Sequence, residues 1–272
     1  MKQAFCGVAL AACLVTATQA QVLLSGGTYS QNFDTLASSG SNISWADNST
    51  VSGWYADRAG TNGPLTTYNA GTGSATTGSL YSFGSTSSSD RALGSLASGT
   101  TGNMAYGVRL QNDTGNSRQD FTISYTGEQW RNNNNATAQS LQFSYLVSSS
   151  AITSADAANA PGAGGWTAFN GLDFSSLINT GTGGGALDGN AAANRTVFSG
   201  VVLTGVVLNP GDELFLRWFD VNDTGNDHGL GIDDLTVSST VTPVPEPREF
   251  AAMAGLGLLG FAVYRRAFLK RA

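Results

Sequence analysis

The chain has 272 residues, 35 of them glycine, and a formal net charge of −6. Its cysteines, Cys6 and Cys13, and its lysines, Lys2 and Lys270, lie near the two ends, so residues 21–240 carry seven arginines against seventeen acids, a net charge of about −10. That stretch is excluded from disulfide bonding, thiolate catalysis and Cys-ligated metal chemistry, and its acidity excludes a nucleic-acid footprint.

In chain order, Lys2 supplies a positive n-region and Ala4 to Ala17 an apolar core of signal length. Thr18-Gln19-Ala20 places small residues at the −3 and −1 positions, so residues 1–20 read as a signal peptide, a helix cut before Gln21. The competing reading is a lipoprotein box, Leu10-Ala11-Ala12-Cys13, which leaves twelve residues of signal, very short for the purpose.

Residues 21–240 read as one extracellular all-β domain. Phe121–Thr126 and Leu141–Tyr145 alternate apolar and polar side chains with period two, each a half-buried strand. The β-branched run Arg195–Gly205 is a third strand. Glu213–Phe219 is apolar on both faces and is expected to be central, and Ile232–Ser238 closes the domain. Tyr29–Leu36, Val51–Ala56, Ser79–Phe83, Ala92–Leu96 and Met104–Gln111 are further candidates of weaker periodicity. The long Gly- and Ala-rich loops Ala151–Gly165 and Asn179–Asn194 read first as mobile. About ten strands with long crossing loops predict two packed antiparallel sheets, a sandwich of jelly-roll type.

The densest polar constellation runs from Asp220 to Asp234. Asp220, Asp223, Asp227, Asp233 and Asp234 alternate there with asparagine and glycine, oxygen chemistry suited to a structural Ca²⁺. The alternative is an acidic surface loop whose side chains cap turns. His228 is the single histidine and no catalytic motif accompanies it, so a non-enzymatic domain is expected. Trp130 and Trp166 are candidate sugar-stacking rings, with core filling as the alternative.

Residues 241–272 hold Val244-Pro245-Glu246-Pro247, a fifteen-residue apolar run from Phe250 to Tyr264, and a basic stop of Arg265 and Arg266 followed by Lys270 and Arg271. A full transmembrane helix takes about 20 residues, so this one reads as a short transmembrane helix with its basic end in the cytoplasm. A permanent anchor is the alternative reading. Gly255, Gly257 and Gly260 spell a dinucleotide fingerprint, but they follow no strand and read instead as small helix-packing residues.

The motif, the short apolar helix and the arginine cluster together resemble the PEP-CTERM sorting signal of Gram-negative bacteria that make exopolysaccharide. That resemblance implies processing by an exosortase-type enzyme, transient residence at the inner membrane, and release to the cell surface or medium. The opening Gln31–Leu36, with Gly53-Trp54 and the ending Gly231–Val237, resembles concanavalin-like and MAM-like jelly rolls, in which first and last strands lie side by side. On that resemblance Asp34 approaches Asp233 or Asp234. The first functional expectation is a structural or adhesive protein of the exopolysaccharide layer. The alternative is a carbohydrate-binding, lectin-like module, and a secreted glycan-active enzyme is the third.

Overall fold

The computed structural model describes residues 21–61, 63–242 and a helix over Pro247–Phe268. The signal segment 1–20 and Val244, Pro245 and Glu246 of the sorting motif lie outside the described residues.

The strands are β1 (Val22–Leu23), β2 (Tyr29–Gln31), β3 (Ile43–Ser44), β4 (Trp54–Arg58), β5 (Thr67–Gly71), β6 (Ser79–Phe83), β7 (Ala92–Leu96) and β8 (Met104–Gln111). They continue as β9 (Arg118–Asn132), β10 (Ser140–Ser148), β11 (Thr167–Ala168), β12 (Phe174–Ser175), β13 (Gly185–Ala186), β14 (Arg195–Leu208), β15 (Glu213–Asp220) and β16 (Gly229–Val241), and the helix is α1. One sheet has the order β1-β8-β15-β10-β11, with β4 on β8 and β12 on β10; the other runs β13-β9-β16-β7-β6-β5-β3, with β14 on β9 and β2 on β16.

Packing follows the expected alternation. β15 is buried at every residue and pairs β8 on one side and β10 on the other, as a run without a wet face requires. Between the sheets, Trp218 of β15 stacks on Trp54 of β4 with ring centroids 5.9 Å apart, and Tyr125 of β9 meets its edge at 5.3 Å. The Trp54 indole donates to the Tyr29 hydroxyl at 2.8 Å, which ties β2 to the same core. β2 pairs β16, so the first and last strands of the nine-stranded sheet do lie side by side.

Three expectations are corrected. The sheets are mixed, because β1 runs parallel to β8 and β5 parallel to β6. The transmembrane helix is the second: α1 has 22 residues, but among the described residues no helix is long and apolar enough to cross a membrane. Arg248 and Glu249 at one end and Arg265 and Arg266 at the other confine its apolar run to the short stretch between them, and charge is costly at bilayer depth.

The third correction concerns the long loops, which are fastened. Residues 149–166 lie against β15, where Arg217 donates through Nη1 to the carbonyls of Ala155, Asp156 and Asn159 at 3.3, 2.8 and 3.0 Å. Its Nε reaches the Ser144 hydroxyl at 3.0 Å, and its guanidinium carbon lies 3.7 Å from the Trp166 ring centroid. Glu213 accepts from the Ile152 N–H at 2.8 Å, and Asp57 from the Ala157 N–H at 3.2 Å. Residues 176–194 are held to β9: Gln129 accepts from the N–H groups of Leu177 and Ile178 at 2.9 and 2.7 Å, and the Trp130 carbonyl from Leu187 at 2.8 Å.

Candidate functional site

β5 and β6 run parallel although only residues 72–78 join them. Parallel neighbours ordinarily need a crossover of about a dozen residues or more, so this connection doubles back tightly. Gly73 presses on β9 so closely that a Cβ there would lie 1.8 Å from the Trp130 carbonyl oxygen, and its φ of +78° suits glycine. Arg131 donates to the carbonyls of Gly73 and Ser74 at 2.9 and 3.1 Å. The connection becomes a fixed wall.

Beside that wall lie three cavities. The first, of about 320 Å³, is bordered by Asn42, Asn69, Thr77 and Tyr81. The second, of about 550 Å³, shares Gly40 and Ala70 with the first. The third, of about 330 Å³, shares Thr72, Ser85 and Thr86 with the second and ends at Asp188. Shared walls make them one groove. Its polar side chains are hydroxyls and two amides, with Asp188 as its acid; Ala70, Ala75, Ala186, Leu187 and the edges of Tyr81 and Trp130 supply apolar wall between them, and no lysine or arginine side chain lines it.

An aromatic stack supports the groove. Tyr81 and Phe83 lie 4.9 Å apart at 11°, and Phe83 and Trp130 6.0 Å apart at 8°. Tyr81 borders the first cavity and Trp130 the third. Each of the three rings is at most 2% exposed, so Trp130 is a floor member and not an open stacking platform. Trp166 is also buried, at 3%, under Arg217 on the other sheet. Core filling describes both rings: the 176–194 segment lies on Trp130, where a Cβ at Gly189 would meet the indole, and Trp166 packs between Arg217 and Phe215.

The acidic run from Asp220 to Asp234 does not fold as one ligand shell. Asp220 is buried at the end of β15 and accepts from the Ser95 hydroxyl at 2.6 Å. Burial pushes its carboxyl up to about 8, with the charges of Asp227 and Asp223 raising it further. Asp227, raised to about 6 chiefly by burial, accepts from the Asp223 N–H at 2.7 Å. Asp233 and Asp234 are carried off along β16, which advances about 3.3 Å per residue. Asp233 faces Asp234, Glu128 and Asp90, and burial is the first cause of its rise to about 9. Glu128, raised to about 7 mainly by burial, takes the Trp130 indole N–H at 2.8 Å. Asp34 is tied elsewhere, to the Arg91 N–H at 3.0 Å and the Asn32 amide at 2.7 Å. Among the described residues no group of three or more His, Cys, Asp or Glu is placed to hold a metal ion, so the calcium expectation has no preformed shell there.

His228 is fully buried; its Nε2 lies 3.1 Å from the Asn135 carbonyl and burial holds its pKa down. It closes a loop and lines none of the three cavities. The groove itself is not evident in the sequence. Its one signal is the Gly/Ser/Thr-rich stretch 71–78 ahead of the strand candidate Ser79–Phe83; Thr67–Gly71, the other strand it joins, is not among the sequence candidates, so the connection does not read as a crossover.

Compared with known proteins, the chain matches no family profile and no curated protein. Among solved structures it is similar to a family 11 carbohydrate-binding module from Clostridium thermocellum in complex with a β-1,3-1,4-mixed-linked tetrasaccharide, at 8% identity and a TM-score of 0.31, covering 74% of this chain and 97% of that one. The enzymatically active domain of a tailspike protein from bacteriophage CBA120 gives 9% and 0.31, covering 74% of this chain and 21% of that one. A carbohydrate-binding module of the β-sandwich superfamily gives 9% and 0.24, covering 76% and 64%. Scores this low leave any functional reading to rest on the groove's own geometry.

Proposed function

We propose that the domain is a non-catalytic glycan-binding sandwich whose groove takes a segment of an uncharged polysaccharide. The observation that carries this reading is the continuous groove from Asn42 to Asp188, whose uncharged polar groups are hydroxyls and amides set among small apolar ones, walled by a pinned crossover. Hydroxyls and amides both donate and accept, as sugar hydroxyls do, and a fixed wall lowers the ordering cost of binding. The absence of a cationic lining, with the acidity of the domain, disfavours polyanions. Binding to an array of neutral and acidic glycans tests this. Neutral glycans should bind, and Thr72→Leu with Thr86→Leu, which replaces two hydroxyls where the cavities join, should weaken that binding at least about tenfold. Unchanged affinity in this variant rules the groove out as the binding site.

The tail fits the same setting. We propose that Val244–Pro247 and the segment after it form a sorting signal, cut by an exosortase-type enzyme, that delivers the domain to a polysaccharide-rich surface. The support is the order of motif, short apolar run and Arg265-Arg266. Mass spectrometry of the mature protein from its native host should find no peptide beyond about residue 250. Abundant peptides from the Phe250–Arg265 stretch in the mature pool contradict the proposal.

A further inference from the structure

A second polar site lies where the first and last strands meet. Along β16, Leu230, Ile232, Leu235 and Val237 are all fully buried. The step from Ile232 to Leu235 is three residues instead of two, and the ladder with β9 shifts register between Asp233 and Thr236. This is a bulge, and a bulge re-aims side chains. It takes Asp233 and Asp234 both out of that apolar row. Asp233 turns toward Glu128 and is 4% exposed, while Asp234 is exposed in the left-handed region at φ 51°.

Ser30 of β2 stands opposite Thr236, and Gln31 opposite the buried Leu235. Ser30, Asn32, Asp234 and Thr236 border a cavity of about 390 Å³ that shares no lining residue with the groove. Paired residues on an antiparallel ladder lie about 5 Å apart on one face, so the two hydroxyls are neighbours. A carboxylate only accepts, and a pair of adjacent sugar hydroxyls supplies two donors to it. The Ser30 and Thr236 hydroxyls give or take the bonds that remain.

We propose that this cavity is a second saccharide subsite, so that one chain holds two glycan segments and cross-links them. The inference rests on the groove reading for its ligand class, and it adds a mode of action, since two sites on one body convert weak contacts into a network. Titration calorimetry with short gluco-, manno- and galacto-oligosaccharides tests it on the whole domain. Wild-type protein should take two oligosaccharides per chain, Asp234→Gly with Ser30→Ala one, and Thr72→Leu with Thr86→Leu one. Glycine is at ease at positive φ, so the first variant keeps the bulge. The first variant should also lose the turbidity that wild type produces with a long polysaccharide. One site in wild type, untouched by Asp234→Gly with Ser30→Ala, overturns the second subsite and leaves the groove standing. Binding untouched by Thr72→Leu with Thr86→Leu but lost in Asp234→Gly with Ser30→Ala removes the groove and keeps this subsite. No heat with any of the three sugars overturns both.

Discussion

Arg217→Ala is expected to destabilise the domain by about 4 kcal/mol, because hydrogen bonds to a charged group contribute about 1.5–3 kcal/mol each and a buried polar network is broken. Three carbonyls of residues 149–166, the strap that lies against β15, and the Ser144 hydroxyl lose their donor at once, and the Trp166 ring loses the cation over it. For a domain of this size that is a fall in Tm of roughly 10 °C. The strap should open before the sandwich does, because what remains to hold it is the Glu213 and Asp57 carboxylates and the small apolar contact of Ile152, Ala155, Ala157 and Trp166 with Tyr55, Phe215 and Phe219. Limited proteolysis of the variant should therefore cut between residues 151 and 165 at a temperature where wild type is intact. Arg217→Lys should recover only part of the loss, since a single ammonium cannot stand both at the Nη1 position beside the three carbonyls and at the Nε position beside the Ser144 hydroxyl, nor lay a planar face on the Trp166 ring. A Tm within two or three degrees of wild type, with no new cleavage, contradicts the fastening of the strap by Arg217.

The domain should be more stable in mild acid than in alkali. Asp220, Asp233, Glu128 and Asp227 all have folded-state pKa values raised chiefly by burial, to about 8, 9, 7 and 6. Unfolded carboxyls titrate near 4. A raised folded pKa means that the native state holds more protons than the unfolded chain between the two values. The stability so gained is complete below about pH 4 and is lost as pH rises through the folded values, here over roughly pH 4–9. A tenfold difference in proton affinity between the folded and unfolded chain corresponds to about 1.4 kcal/mol, and Glu128 and Asp233 titrate as neighbours, so their contributions are shared. Tm at pH 5 should exceed Tm at pH 9 by at least about 5 °C. Asp220→Asn, neutral at every pH, should flatten a substantial part of that slope. A Tm that climbs from pH 5 to pH 9 runs against the assignment.

Strand positions were largely legible. Glu213–Phe219 has no wet face in sequence and sits at the centre of its sheet. Ser79–Phe83, Ala92–Leu96 and Met104–Gln111 form as expected; the pairing of β2 with β16 is implied by the jelly-roll resemblance and not by the strand pattern itself. Direction was not legible, because period-two alternation is the same read up or down; hence the parallel β5–β6 pair and the groove it builds leave no trace in the pattern. Loop order is hidden for a related reason. Ala151–Gly165 is made of small residues with few anchors of its own, and its anchors are Arg217, Glu213 and Asp57, remote in sequence. The acidic run looks like one site because spacing along the chain hides a bulge: β16 sends Asp233 and Asp234 to a different place from Asp220, Asp223 and Asp227.

The central claim is that the groove between Asn42 and Asp188 holds a neutral glycan. Amide chemical-shift mapping of the ¹⁵N-labelled domain, titrated with the neutral oligosaccharide that binds best on the array, tests it directly. The expected result is a contiguous set of perturbed amides at Asn42, Asn69, Thr72, Thr86 and Asp188, with the strap residues 151–165 unmoved. Perturbations that avoid the groove, or a spectrum unchanged at saturating sugar, contradict it.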